Sequence, residues 1–553
     1  MARVSSLVST IARPLAAQKQ QDIVWQYHNK KFIITACSSL WQINTSAHAI
    51  PENPPLKGVL TCNIYIISCY CKLFPLLPHP TTSRINHEAS GEKRYFCGPI
   101  YDLPQRMDSF TYKQHFSRNF TLAYPVVLSQ LGHIMVSVFD SLMVGQIGTL
   151  PLAAASLGNS IFTITLVFGL GVSYSITPLI AAADGRRNYT RISLLLLNGL
   201  VSNVLLGILL FIAGYFLSPY ITLLDQPPRV VELAVPYINI LFLSMVPLMV
   251  FQAFRQFAEG LSLTKQAMWI SIVANSLNII LNYILIFGKL GFEPMGLVGA
   301  GWATLISRVV MAMMMAGYVM YGKRFVVYHH FLRLRHLSFI HMYRIFKLGL
   351  PISGQMIFEM GAFSFSAVMI GWLGAKELAA HQIAINVASV TYMMASGIGA
   401  AATIRVGNQK GLGNYRSMRM AGISNLVMGV GFMVCSGLLM ILGNKLIPML
   451  YIDDPEVIRI ASSLLVIAAL FQISDGIQVV GLGALRGLED VKVPSLISLL
   501  AYWGVGLPVG YYLCFKADFG VNGIWMGLLT GLSVAALLLT FRFRALSSRL
   551  IHT

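Results

Sequence analysis

Hydrophobic and polar positions follow two regimes along the chain. Up to residue 106 they are mixed, with no sustained period and with scattered prolines (Pro51, Pro54, Pro55, Pro75, Pro78, Pro80). From Met107 a short polar stretch, DSFTYKQHFSRN, leads into long apolar runs separated by brief polar breaks, which continue to the end of the chain. A bilayer core about 30 Å thick is crossed by about 20 residues of helix. Twelve runs meet that length, at roughly 117–144, 152–182, 193–217, 233–256, 267–287, 297–320, 349–373, 378–403, 420–442, 458–482, 494–515 and 522–541. In lipid, backbone polar groups must be satisfied within the segment or by a closed barrel, so such runs are predicted to be helices. The predicted fold class is all-α, a polytopic membrane protein of twelve transmembrane helices.

Composition supports that class. Of the 553 residues 56% are hydrophobic and 11% charged, against about 25% charged in a soluble domain. The net charge of +19 would suggest nucleic acid in a soluble protein. Here the basic residues sit between apolar runs, where orientation in the membrane explains them, so no nucleic-acid partner is expected. Seven cysteines give no metal or disulfide framework. Cys37, Cys62, Cys69, Cys71 and Cys97 precede residue 107 without regular pairing, and Cys435 and Cys514 lie inside apolar runs as small packing residues.

Residues 1–106 are expected to be a poorly ordered extension foreign to the fold, from an over-long gene model with Met107 as the native start. Two alternatives stand beside that expectation. Residues 1–20 hold Arg3, Arg13 and Lys19 without an acid, as in a targeting peptide. Residues 58–77 (GVLTCNIYIISCYCKLFPLL) are long enough for an extra span, although they contain Pro75 and Lys72 and follow Lys57.

Charge then sets orientation. Polar breaks after even-numbered runs, with the C-terminal tail, hold twenty Lys and Arg, among them Arg186, Arg191, Arg255, Arg344, Arg405, Lys410, Arg486 and Arg542, while breaks after odd-numbered runs hold six. Both termini are therefore expected in the cytoplasm. The basic stretch 321–347 divides the runs six and six. This gives an N-lobe at 107–320, a linker at 321–347, a C-lobe at 348–545 and a tail at 546–553.

The halves also read alike. MVGQIGTLPLAAAS at 143–156 lies against MIGWLGAKELAAHQ at 369–382, and FAEGLSLTKQAMWIS at 257–271 against ALRGLEDVKVPSLIS at 484–498. Gly296-x-x-Gly299 matches Gly520-x-x-Gly523. Six spans per half make the repeats parallel, related by an axis along the membrane normal. Two such bundles can enclose a chamber and rock about it, as alternating access requires.

A carboxylate at mid-membrane costs about 2.5–3.5 kcal/mol on insertion scales, so it marks a cavity or a partner. Three acids fall within the runs: Asp140 in the first, Glu359 in the seventh and Asp475 in the tenth. Each by itself is satisfied by a structural hydrogen bond. Three acids spread over both halves point to a shared role in binding H+ or Na+, in a water-accessible chamber between the bundles. Glu359 and Asp475 fall in one half and are candidates for a common coupling-ion site. Supporting polar candidates there are Gln355, four residues from Glu359 and so on its helix face, and Gln382, Asn386, Ser474 and Gln478. In the first half, Asn278 and Asn282 stand beside Asp140 as candidates. For each amide, interhelical hydrogen bonding is an equal reading. Arg308 lies mid-run, and an ion pair with Asp140 is the first expectation, with a chamber-lining or snorkelling role as the alternative. Methionines (Met311, Met313, Met314, Met315, Met393, Met394) suit an adaptable drug pocket or lipid-facing filler equally.

Asp140 in VFDSLMVG, Pro351 and Glu359 in LGLPISGQMIFE, and SDGIQVVGLGALRGLED around Asp475 resemble the multidrug and toxic compound extrusion (MATE) transporters, nearest the NorM-type branch, over about 107–545. The resemblance implies a V-shaped pair of bundles that exports cationic, amphipathic molecules in exchange for Na+ or H+. By the same resemblance the N-lobe acid is Asp140, the C-lobe acids are Glu359 and Asp475, and the helix-five asparagine is Asn278. Some members carry Asp where this chain has Asn282, which moves the coupling site toward the C-lobe pair. The implied protein is a multi-pass transporter of the plasma (inner) membrane and a functional monomer. It takes small cationic substrates, with no cofactor beyond the coupling ion and no metal beyond Na+ at Glu359 and Asp475. It is not an enzyme: HExxH, metal-ligand clusters and paired Ser/His spans are missing from the sequence. A flippase for lipid-linked oligosaccharides is the alternative. It calls for several chamber cations, and Arg308 is the one cation away from the ends of the runs.

Overall fold

The computed structural model describes residues 111–224 and 226–552, and the expectations for residues 1–106 fall outside them. Regular structure among the described residues is helical throughout. Among the described residues, eleven helices are long and apolar enough to cross a membrane. They are α1 (Tyr112–Gly145), α2 (Thr149–Gly185), α3 (Tyr189–Leu217), α4 (Pro228–Gly260), α5 (Thr264–Phe287), α6 (Gly296–Tyr321), α8 (Ala375–Gly411), α9 (Tyr415–Leu442), α10 (Pro455–Gly487), α11 (Lys492–Phe515) and α12 (Gly520–His552). The remaining long helix, α7 (Phe339–Gly371), has 33 residues. Its apolar run is diluted by Ser353, Gln355 and Glu359, which belong to the site described below. Each expected run sits inside one of these helices, except that 349–373 runs two residues past the end of α7 at Gly371. The helices run further at the ends nearest the linker, to Gly411, Gly487 and His552, because polar residues continue a helix beyond its apolar stretch.

Local signals explain the boundaries. The Asn188 and Asn414 side chains cap α3 and α9, each accepting from the backbone three residues on. Pro228 and Pro455 open α4 and α10 at the position where a missing N–H costs nothing. Asn188 and Asn414 are 226 residues apart, as are Pro125 and Pro351 inside α1 and α7. The turns repeat as well. Gly148 and Gly374 take φ of 134° and 153°, and Ser262 and Glu489 take 64° and 63°. The sequence repeat is thus a repeat of backbone conformation.

Each half builds its own apolar core, one around Ile238, Phe251 and Phe257 and the other around Leu464, Tyr502 and Trp525. The first helix of each half leans on the opposite half. Leu122 and Ala123 of α1 join a C-lobe cluster with Ile404 and Phe543, and Ile345 of α7 joins the N-lobe cluster. Inter-lobe hydrogen bonds among the described residues lie in the linker-side half of the bundle or near its middle. Asn119 Nδ2 donates to Ser424 Oγ (2.8 Å), Asn408 Nδ2 to Asp184 Oδ2 (2.9 Å), Ser353 Oγ to the Phe168 carbonyl (2.7 Å) and Gln130 Nε2 to Ser396 Oγ (3.3 Å). Glycines permit the approach. A Cβ on Gly397 would stand 2.8 Å from the Val127 backbone nitrogen, and one on Gly349 would stand 2.8 Å from Val172 Cα. Small residues at such crossings are how lipid-embedded helices gain packing without a hydrophobic drive.

Candidate functional site

The C-lobe acids lie in a polar pocket inside the lobe, formed by α7, α10 and α11. On α7, Gln355 and Glu359 share a face, and Gln355 Nε2 donates to Glu359 Oε2 at 2.9 Å. From α10, Gln478 Nε2 donates to Glu359 Oε1 at 3.3 Å. From α11, the Tyr502 hydroxyl lies 3.4 Å from Glu359 Oε1 and 2.9 Å from Gln478 Oε1. Asp475 stands three residues before Gln478, on the same face of α10. Tyr392 and Tyr502 lie near both carboxylates. Glu359 is 6% exposed and Asp475 2%. The expected location in a chamber between the bundles is therefore corrected for this pair: it is enclosed within the C-lobe. The enclosure is polar, made of amides and a phenol, since two carboxylates in dry apolar packing would be untenable.

Tyr502 was not among the expected residues. It sits in a π-helical turn, Leu500–Gly506, within α11. Such a turn carries extra residues and redirects side chains, and it often marks a functional site. The signal in sequence was faint, a tyrosine in an otherwise apolar run.

Arg486 was also missed, having been assigned to a loop. It lies in the last turn of α10 and donates to Gln355 Oε1 at 2.6 Å. Two other arginines assigned to loops also lie within helices, and both are buried. Arg255 pairs with Glu259 at 2.7 Å in α4, and Arg405 in α8 lies 3.3 Å from His115 Nδ1. Arg405 and Arg486 lie beyond their apolar runs but within two turns of a helix end, where apolar-run counting stops too early, and Arg255 falls at the very edge of its run.

In the N-lobe the structure brings together Asp140, Asn282 and Asn278. Asn282 Nδ2 donates to Asp140 Oδ1 and also lies 3.2 Å from Asn278 Oδ1, and Asn278 Nδ2 reaches Ser307 Oγ at 3.4 Å. Asp140 is partly exposed. The expected Arg308–Asp140 ion pair is absent among the described residues. Arg308 instead donates to Ser244 Oγ at 2.5 Å and lies 5.0 Å from the Phe162 ring centroid. The hydroxyl at the break in α4 and the aromatic face satisfy the guanidinium, which leaves Asp140 to the asparagines.

Three further candidates lie elsewhere. Gln382 and Asn386 are exposed on α8 and bond to each other at 3.0 Å, away from Glu359. Ser474 pairs with Ser533 at 2.9 Å. The repeat does not duplicate the site. The residue 226 before Glu359 is His133, and the residue 226 after Asp140 is Ser366. The lobes share a backbone but carry their acids at different depths.

The sequence profile of the MatE family matches residues 125–284 and 351–512, one stretch in each half. A probable multidrug resistance protein NorM from Mesorhizobium japonicum is 37% identical over 80% of this chain and 96% of its own length. The multidrug resistance protein NorM of Burkholderia vietnamiensis is 36% identical over 78% of this chain and 94% of its own. Among solved structures, the eukaryotic MATE transporter AtDTX14 has the same fold, with a TM-score of 0.72 at 21% identity, covering 79% of this chain and 98% of that one.

Proposed function

The chain belongs to the MatE family, and from that premise we propose that it is a secondary active multidrug efflux transporter, exporting cationic amphipathic small molecules by antiport with Na+ or H+. The observation that carries the reading is the setting of Glu359. Two amides and a phenol surround its carboxylate, and among the described residues no Lys, Arg or His lies within ion-pairing distance of it. A carboxylate held this way binds a small cation. A proton needs one oxygen, while Na+ takes several oxygen ligands, which Glu359, Asp475 and the Gln478 and Tyr502 oxygens offer.

In the described conformation the lobes meet at the linker side, which the distribution of Lys and Arg assigns to the cytoplasm. This is the outward-facing state. Binding of the external ion at Glu359 and Asp475 favours one state over another only through its differential affinity for the two. In this reading the ion binds the outward state best and releases cargo there. The protein acts as a monomer in the plasma membrane, with both termini cytoplasmic. Arg255 is neutralised by Glu259 and Arg486 is bonded to Gln355, so neither is free to hold the pyrophosphate a flippase would carry.

The test is efflux of ethidium from vesicles containing the purified chain, with Na+ and pH gradients imposed separately. Efflux driven by one gradient supports antiport and names the ion. Efflux indifferent to both gradients refutes it.

A further inference from the structure

Beside the linker, α3 and α7 flank an open cavity of about 370 Å³ that the transport reading does not use. Asn188, Thr190, Arg191 and Leu194 line it from α3, and Ile340, His341 and Arg344 from α7. Its charge is unbalanced. Arg344 pairs with Glu489 at 2.5 Å, and Lys410 holds the same carboxylate at 3.3 Å. Arg191 has no ion pair within 4.0 Å among the described residues. His341 Nδ1 is buried without a hydrogen-bond partner.

The internal repeat supplies a control within the molecule. His115 and Arg118 stand 226 residues before His341 and Arg344. At that first position Arg405 fills the place, 3.3 Å from His115. The residue equivalent to Arg405 is Leu179, and the one equivalent to Arg191 is the buried Ser417. The second position has thus lost an internal cation, gained a different one at Arg191 and kept an open volume.

We propose that this cavity binds the phosphate of an anionic phospholipid, held between the Arg191 and Arg344 guanidiniums with His341 as an additional donor. Two forked guanidiniums suit phosphate oxygens. A lipid is favoured over a free anion by what borders the cavity. Phe339, Ile340 and Tyr343 are 82%, 76% and 56% exposed on α7, an apolar and aromatic surface where acyl chains and the interfacial region would lie. Basic pockets between helices on the cytoplasmic side are a recurring headgroup arrangement.

The experiment is native mass spectrometry of the full chain released from nanodiscs of phosphatidylcholine doped with phosphatidylglycerol. Wild type is expected to retain phosphatidylglycerol, and Arg191→Gln to retain at least fivefold less. Arg416→Gln, an exposed arginine at the equivalent turn of the other half, is expected to retain as much as wild type. His341→Gln gives an independent reading if Arg191→Gln melts early, and is expected to lower retention at least twofold. Millimolar inorganic phosphate is expected to leave the lipid in place. Unchanged retention in Arg191→Gln and His341→Gln overturns the site. Equal loss in Arg416→Gln reduces the effect to general surface charge and also overturns it. Displacement by inorganic phosphate makes the occupant a free anion and overturns the lipid assignment.

Discussion

Arg486 reaches Glu359 only through Gln355, whose carbonyl oxygen accepts from the guanidinium at 2.6 Å while its amide donates to the carboxylate at 2.9 Å. The nearest cation is thus held one side chain away. A direct ion pair would occupy the carboxylate, whereas an interposed amide orients it and leaves charge for an external ion. Gln355→Ala removes the spacer and strands a half-buried guanidinium. A lost hydrogen bond to a charged group costs about 1.5–3 kcal/mol, so ion affinity is expected to change by tenfold or more, read as the concentration of Na+ or H+ giving half-maximal efflux.

Tyr502→Phe removes one hydroxyl and leaves the ring packed 5.9 Å from Phe363. One neutral hydrogen bond contributes about 0.5–1.5 kcal/mol. A weakening of coupling-ion affinity of up to about tenfold is expected, with the melting temperature of the detergent-solubilised protein little changed. An unaltered ion dependence would remove Tyr502 from the site.

Asn282→Leu deprives Asp140 of its donor. Asp140 is partly exposed, so the lost hydrogen bond to its charge costs at most about 1.5–3 kcal/mol. The expected result is lower transport with retained membrane levels, and Asn282→Asp is expected to make the N-lobe more sensitive to pH. The dependence of efflux rate on pH for the two variants checks this.

Gly397→Val tests the inter-lobe closure, since a side chain there meets Val127 at 2.6 Å from its Cγ2. The linker-side junction is expected to open. Trypsin applied from that side should then cut at sites that wild type protects, and net export should fall.

Glu489 lies in the turn between α10 and α11. Burial opposes its charge, but Lys410 and Arg344 outweigh it and hold the carboxyl below its usual range. A group whose folded pKa is depressed stabilises the fold above its unfolded value, and that contribution is lost as pH falls through the folded value. Glu489→Gln is expected to cost about 2 kcal/mol at neutral pH, between an exposed and a fully buried pair. The difference from wild type should vanish on acidification below the folded pKa, as measured by thermal melts over pH.

Much of the architecture was legible in sequence because a lipid-spanning helix must be a long apolar run, and lipid allows few alternatives. The repeat was legible for a related reason: turns such as Gly148 and Gly374 demand particular residues. Glu359, Asp475 and Asp140 stood out because acids are costly in such runs. Their partners did not stand out. Gln478 and Asn282 were legible as amides, but what each touches depends on helix rotation. Tyr502 depends on a π-helical turn, which periodicity does not reveal. Arg308 was misread because its nearest acid in sequence logic, Asp140, is not its partner in space. Ser244 and Phe162 satisfy it, and neither is conspicuous in a list of charges.

The central claim is that Glu359 and Asp475 bind the ion whose entry expels cargo. It is tested most directly by titrating Na+, or lowering pH, on purified protein carrying a bound fluorescent cation, and following release by anisotropy. Wild type is expected to release the cation on ion addition, while Glu359→Gln and Asp475→Asn bind it and do not let it go. Release from both variants at the wild-type ion concentration would contradict the account.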